Sequence, residues 1–131
     1  MMTSLKTASV ALIIAGTGLD LERISEGLQM QPTDAHRAGE LNVIGQPFHH
    51  DMWHLETPLP ESDPLETHLR WLGEKLSPHH AYLRSVKTVA EVYVYCGLNS
   101  DSDQCGFSLS PEALALFTDV GISLEVTILG G

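Results

Sequence analysis

Near each end of the chain, apolar residues recur at every second position. Val10, Leu12 and Ile14 alternate with Ser9, Ala11 and Ile13, and Ile122, Leu124, Val126 and Ile128 alternate with Ser123, Glu125 and Thr127. A period of two sends successive side chains to opposite sides of a strand, so each segment has one greasy face that something else must seal. A third segment, Val89 to Cys96, sets Ala90, Val92, Val94 and Cys96 against Glu91, Tyr93 and Tyr95. One-sided strands this far apart in the sequence predict a sheet covered on one side only.

The cover is legible as helices. Asp20 is placed to cap a first helix, with Glu22 in its first turn and Leu21, Ile24 and Leu28 on one face. Pro32 ends it near Met30. Asp63 caps a second helix, Pro64 takes its first position, and Glu66 is placed to complete a capping box. Leu65, Leu69, Leu72 and Leu76 form its stripe, with Trp71 beside it. Ser77-Pro78 restarts a shorter turn that carries His79, His80, Tyr82 and Leu83. Ser110-Pro111 opens the last helix, Leu114, Phe117 and Val120 are expected to point inward, and Gly121 ends it. Trp53-His54-Leu55 reads as a short strand, and Gly106 to Leu109 as a hairpin partner for the 89–96 strand. Residues 31–50 show no period and make the longest irregular stretch. The expected fold is α+β over a single domain, residues 1–131. It is a two-layer sandwich of ferredoxin-like flavour, with about three helices on one face of a mostly antiparallel sheet of four to five strands.

At 131 residues, 43% of them apolar and 18% charged, the chain has enough greasy surface for one core. Seventeen acidic residues against seven basic ones give a net charge of −10, which repels phosphate backbones, so nucleic acid is not an expected partner. The basic residues, from Lys6 to Lys87, are scattered rather than clustered. The apolar run from Ala8 to Ala15 is far shorter than the roughly twenty residues of a membrane span, so it is read as a buried strand. A cytoplasmic location without membrane attachment is the expectation. Cys96 and Cys105 form no Cys-x-x-Cys pair; they flank an apparent loop, within bridging reach in an oxidising compartment, and are expected to be reduced in the cytoplasm.

Several segments carry chemistry. Seven histidines are many for this length, and His49-His50-Asp51-Met52-Trp53-His54 is the most metal-like run. On a strand, however, His50 and His54 stand about 13 Å apart, too far to share an ion. His49 and Asp51 remain as candidates, and two ligands from a loop do not make a tight site. No metal and no cofactor are expected. Gly16-Thr17-Gly18 has Leu21 where a dinucleotide fingerprint needs its third glycine. Ser108 sits in a run resembling a nucleophile elbow, yet Ser110 before Pro111 is better explained as a helix cap. The loop from Pro32 to Glu40 gathers Thr33, His36, Arg37 and Glu40; Arg37 could clamp an anion and His36 could move a proton. In the plainer reading, Thr33 and Asp34 close a turn and Arg37 pins the loop. Tyr93 and Tyr95, with Ile13 on a neighbouring strand, mark a sheet face turned away from the helices, a natural interface unless the 31–50 loop covers it.

Asp20-Leu21-Glu22 opening a helix, Pro32-Thr33-x-x-His36-Arg37-x-Gly39-Glu40, Trp53-x-Leu55, Leu65-Glu66-x-His68-Leu69-x-Trp71-Leu72 and Gly106-Phe107-Ser108-Leu109-Ser110-Pro111-Glu112 together resemble the small bacterial domain-of-unknown-function family numbered 4279. The resemblance implies a compact bacterial α+β protein and brings no catalytic residues with it. The segment from Leu41 to Asp51 looks particular to this chain. The leading functional expectation is a non-enzymatic interaction module, in one version an immunity-like protein whose acidic surface meets a basic partner, the other partner being a second copy of itself. The alternative is a small hydrolase or lyase that uses His36, Arg37 and Glu40 beside Trp53. It requires these groups to converge on a pocket. Binding candidates are therefore Thr33, His36, Arg37, Glu40, Trp53, Tyr93 and Tyr95.

Overall fold

Strand β1 (Lys6–Gly16) runs through the middle of the molecule, flanked by β3 (Asp51–Glu56) on one side and β4 (Glu91–Ser100) on the other, both antiparallel to it. The computed structural model describes residues 6–100 and 107–130. A short strand β2 (Asp34–His36) extends the sheet beyond β3, and β5 (Ser123–Gly130) extends it beyond β4, giving the order β2-β3-β1-β4-β5. Every neighbouring pair is antiparallel except β4 and β5, which run parallel. A parallel neighbour needs a crossover, and helix α4 (Pro111–Leu116), continued by a wider π turn over Phe117–Gly121, lies within it.

The other helices are α1 (Leu21–Leu28), α2 (Leu65–Leu76) and α3 (His80–Val86), with a 3-10 turn at Ser77–His79 joining the last two. Up to β4 the chain therefore runs strand, helix, strand, strand, helix pair, strand, the split order of ferredoxin-like folds with its second helix divided into α2 and α3, and α4 with β5 is an addition. The α+β architecture expected from the pattern is the one observed.

The register puts Val10 beside Cys96, and Cys96 beside Val126. Leu12, Ile14, Trp53, Leu55, Val92, Val94 and Leu98 share this inner face, against which Leu28, Leu69, Leu72, Leu76 and Leu83 of the helices are sealed. Each fully buried leucine or valine contributes roughly 1.5–3 kcal/mol against exposure to water, so this layer is the main support of the fold. Two polar groups are drawn inside with partners. Trp53 donates from Nε1 to Ser25 Oγ at 3.0 Å. His68, which is 1% exposed, takes up both ring nitrogens: Nδ1 with Thr57 Oγ1 at 2.5 Å and Nε2 with the Pro60 carbonyl at 3.1 Å. Only a donor satisfies a carbonyl, so the proton sits on Nε2 and the Thr57 hydroxyl donates to Nδ1.

Some elements differ from the sequence reading, each for a local reason. Glu66 completes no capping box; its carboxylate reaches across to accept the backbone N–H of Ser110, tying the start of α2 to the start of α4. Ser110 is the cap it was expected to be, accepting from Ala113 N–H at 3.2 Å. The inward stripe of α4 and its π turn is Ala113, Leu116 and Val120 with Phe117 part-covered, while Leu114 is exposed. Phe107 to Leu109 form no strand, and Gly106 and Cys105 lie outside the described residues. The 31–50 stretch is not wholly irregular. It contains β2 and a small hairpin, in which Gly39 N–H donates to Phe48 C=O and Phe48 N–H to Glu40 C=O. At its tip the Asn42 side chain accepts from Ile44 and Gln46 N–H, both at 3.0 Å, a side-chain turn that leaves no periodic signature.

Candidate interaction surface

Because the strand period is two, the residues between those of the core make the opposite face of the sheet, and the register arranges them in rows. Asp34, His54, Ile13, Tyr93 and Ser123 form one row across all five strands. Glu56, Ala11, Tyr95 and Glu125 form the next, and His36, Met52, Ala15 and Glu91 the one before. The described helices pack on the other side, and Ile13, Met52, His54, Tyr93 and Tyr95 stay part-exposed. At the centre are two tyrosines and an isoleucine; Asp34, Glu56, Glu91 and Glu125 surround them, and no lysine or arginine occupies a described position in these three rows.

The tyrosine environment shows this arrangement electrostatically. The Tyr93 hydroxyl is pushed above its usual range, first by burial and then by the nearby Glu125 and Glu91 carboxylates. Gly97 follows Tyr95 on the same face. A β-carbon there would stand 3.1 Å from Ser9 Oγ and 3.8 Å from the Tyr95 ring, so the missing side chain leaves room for the ring beside it.

The 32–40 loop takes its plainer role. Thr33 donates its N–H to the His54 carbonyl at 2.8 Å, and its hydroxyl oxygen accepts from Glu56 N–H at 2.8 Å, so it prolongs the β2–β3 pairing by one residue. His36 stacks on Phe48, ring centroids 3.5 Å apart and planes 8° from parallel. Arg37 donates from Nη1 to the Leu19 carbonyl at 3.2 Å, and Glu40 is exposed on the hairpin stem. Trp53 is fully buried on the inner face, so the sheet itself separates it from His36. The cavities of about 660, 470 and 390 Å³ lie elsewhere among the described residues, and His36, Arg37, Glu40 and Trp53 line none of these three. Tyr93 and Tyr95 are thus the two candidates at the centre of one surface, with Ile13 on β1 beside them and His36 at its corner.

Asp51 proves to be a clasp. Its carboxylate is buried and accepts from Leu19 N–H at 2.9 Å and from Ala38 N–H at 2.8 Å. Those hydrogen bonds, Ala38 first and Leu19 next, hold its pKa below the usual 3.8, with smaller help from Gly18 N–H and the Arg37 charge. With both oxygens engaged by backbone it is a poor metal ligand, and His49 is exposed beside it; among the described residues no group of three or more metal-binding side chains comes together. Sequence reading missed the clasp, although part of the sign was there: an aspartate at the first position of a buried strand must find donors, and the glycine-broken turn after β1 supplies one of them, Leu19 N–H, the other coming from Ala38.

Tyr93 and Tyr95 stay part-exposed. Phe48 stacks on His36 at the corner of this face, and the hairpin beyond it carries Leu41, Val43 and Ile44 exposed, Val43 without any cover. No described helix is long and apolar enough to cross a membrane. Neither the curated proteins nor the solved structures yield a match to this chain. The family model of the domain of unknown function DUF4279 matches residues 5–131, and the chain belongs to that family.

Proposed function

We propose that the protein is a non-enzymatic interaction module that receives a basic protein partner on the open face of its sheet. The observation that carries this reading is the placement of Tyr93 and Tyr95 within a ring of four carboxylates, with no lysine or arginine at a described position in those rows. Tyrosines supply large, stiff contact area and attract cations to their ring faces, and carboxylates around them pair with lysine or arginine. The net charge of −10 extends the same preference over longer range and steers a basic partner in. An immunity-like role, neutralising a basic toxin, is one form this takes. The groups needed for a hydrolase do not converge, which favours binding over turnover. The test is affinity capture from native lysate with the wild-type chain and with a Tyr93→Ser/Tyr95→Ser double variant. A basic protein retained by the first and lost by the second is expected, with retention falling as salt rises. Equal capture by both chains, or capture indifferent to salt, rejects the reading.

A further inference from the structure

β5 is the last strand on its side of the sheet, with β4 as its single neighbour, so its other edge presents unpaired backbone groups. Among the described residues no hydrogen bond from outside the sheet ends on it. Edge strands are usually blunted by lysine, proline or a bulge. Ser123 to Gly130 contains neither residue, its pairing with β4 is unbroken over eight positions, and Glu125 is its one charge. Its inner-face side chains are under-covered as well: Leu124 and Val126 are part-exposed and Ile128 is 46% exposed.

We propose that this edge pairs antiparallel with β5 of a second copy, about a two-fold axis at Val126. Residues directly opposite in an antiparallel pair share a face, so the two cores line up only if the axis passes through a residue rather than between two. An axis at Glu125 would oppose two like charges, and one at Thr127 would set Glu125 against Leu129. The axis at Val126 instead places Leu124 opposite the second copy's Ile128, Val126 opposite its own counterpart, and Glu125 opposite Thr127. Apolar residues then cover one another and the carboxylates avoid each other. The result is one ten-stranded sheet with both helical layers on one side and both tyrosine faces on the other. This inference does not depend on the basic-partner reading, and salt separates the two: screening favours the union of two chains of charge −10 and weakens a basic partner.

Thr127 provides the test. It is exposed, and its neighbour on β4 is Gly97, which brings no side chain against it. Light scattering or sedimentation over a concentration series should show the wild-type chain passing from monomer to dimer. Thr127→Glu opposes Glu125 twice across the axis and should raise the dissociation constant about two- to thirty-fold, while Thr127→Lys should lower it by a similar factor. The Glu125→Lys/Thr127→Glu double variant restores opposite charges across the axis and should dimerise as tightly as Thr127→Lys, below the wild-type dissociation constant. Circular dichroism of each variant checks that the fold is kept. A wild-type chain that stays at monomer mass at the highest concentration reached, or a dimer indifferent to the sign of charge at position 127, overturns the proposal.

Discussion

The ring of Tyr82 lies on the backbone of Gly27, so close that a β-carbon at position 27 would stand 2.3 Å from the ring's Cζ. The Tyr82 hydroxyl then donates to the Arg23 carbonyl at 3.2 Å, and α3 is fastened to α1 through a gap that only glycine leaves. In an unencumbered helix, alanine would be better than glycine by up to about 1 kcal/mol. Here the overpacking costs roughly 1–3 kcal/mol and wins. Gly27→Ala should therefore lower stability to urea by about 1 kcal/mol. In a Tyr82→Ala background the same substitution should become neutral or stabilising, a reversal of sign that a double-mutant cycle reads directly.

His68 gives the second prediction. Its ring is buried and satisfies Thr57 and the Pro60 carbonyl at once, which fixes the segment between β3 and α2. His68→Ala leaves a cavity and two stranded polar groups, and should destabilise the fold by about 3 kcal/mol in chemical denaturation.

Acid sensitivity should trace to Asp51. Its pKa is depressed in the folded chain, so its contribution is fully present above the unfolded value near 3.8 and is lost as pH falls through the lower folded value. Asp51→Asn keeps one acceptor oxygen and turns an amide donor toward the second N–H. The stability gap between wild type and Asp51→Asn should be constant from neutral pH to about pH 5 and close progressively below about pH 4. A gap that is the same at pH 3 and pH 7 would rule out the clasp.

The strands that pattern could find were those with one covered and one uncovered side, because the alternation of Val10, Leu12 and Ile14, or of Val92, Val94 and Cys96, is itself the imprint of that asymmetry. β2 left no imprint. Asp34 and Ala35 are exposed and His36 only part-covered, and three residues at a sheet edge bury too little to shape a sequence. Glu66 misled because a carboxylate three residues into a helix looks the same whether it caps its own helix or reaches across to Ser110. The tyrosine face was legible, since Tyr93 and Tyr95 had to oppose the core residues of their own strand. Asp51 and His68 were not, because each is defined by partners at a distance: Leu19 and Ala38 for one, Thr57 and Pro60 for the other.

The strand in the middle of the sheet precedes both of its neighbours in the chain. Val10 waits for Cys96, and Ile14 for Trp53, before either edge of β1 is paired. During synthesis its greasy run therefore emerges long before its neighbours exist, and pairing them closes one loop from Ile14 to Trp53 and a much longer one from Val10 to Cys96. A sheet built around β1 can close only once β4, far down the chain from it, has been made.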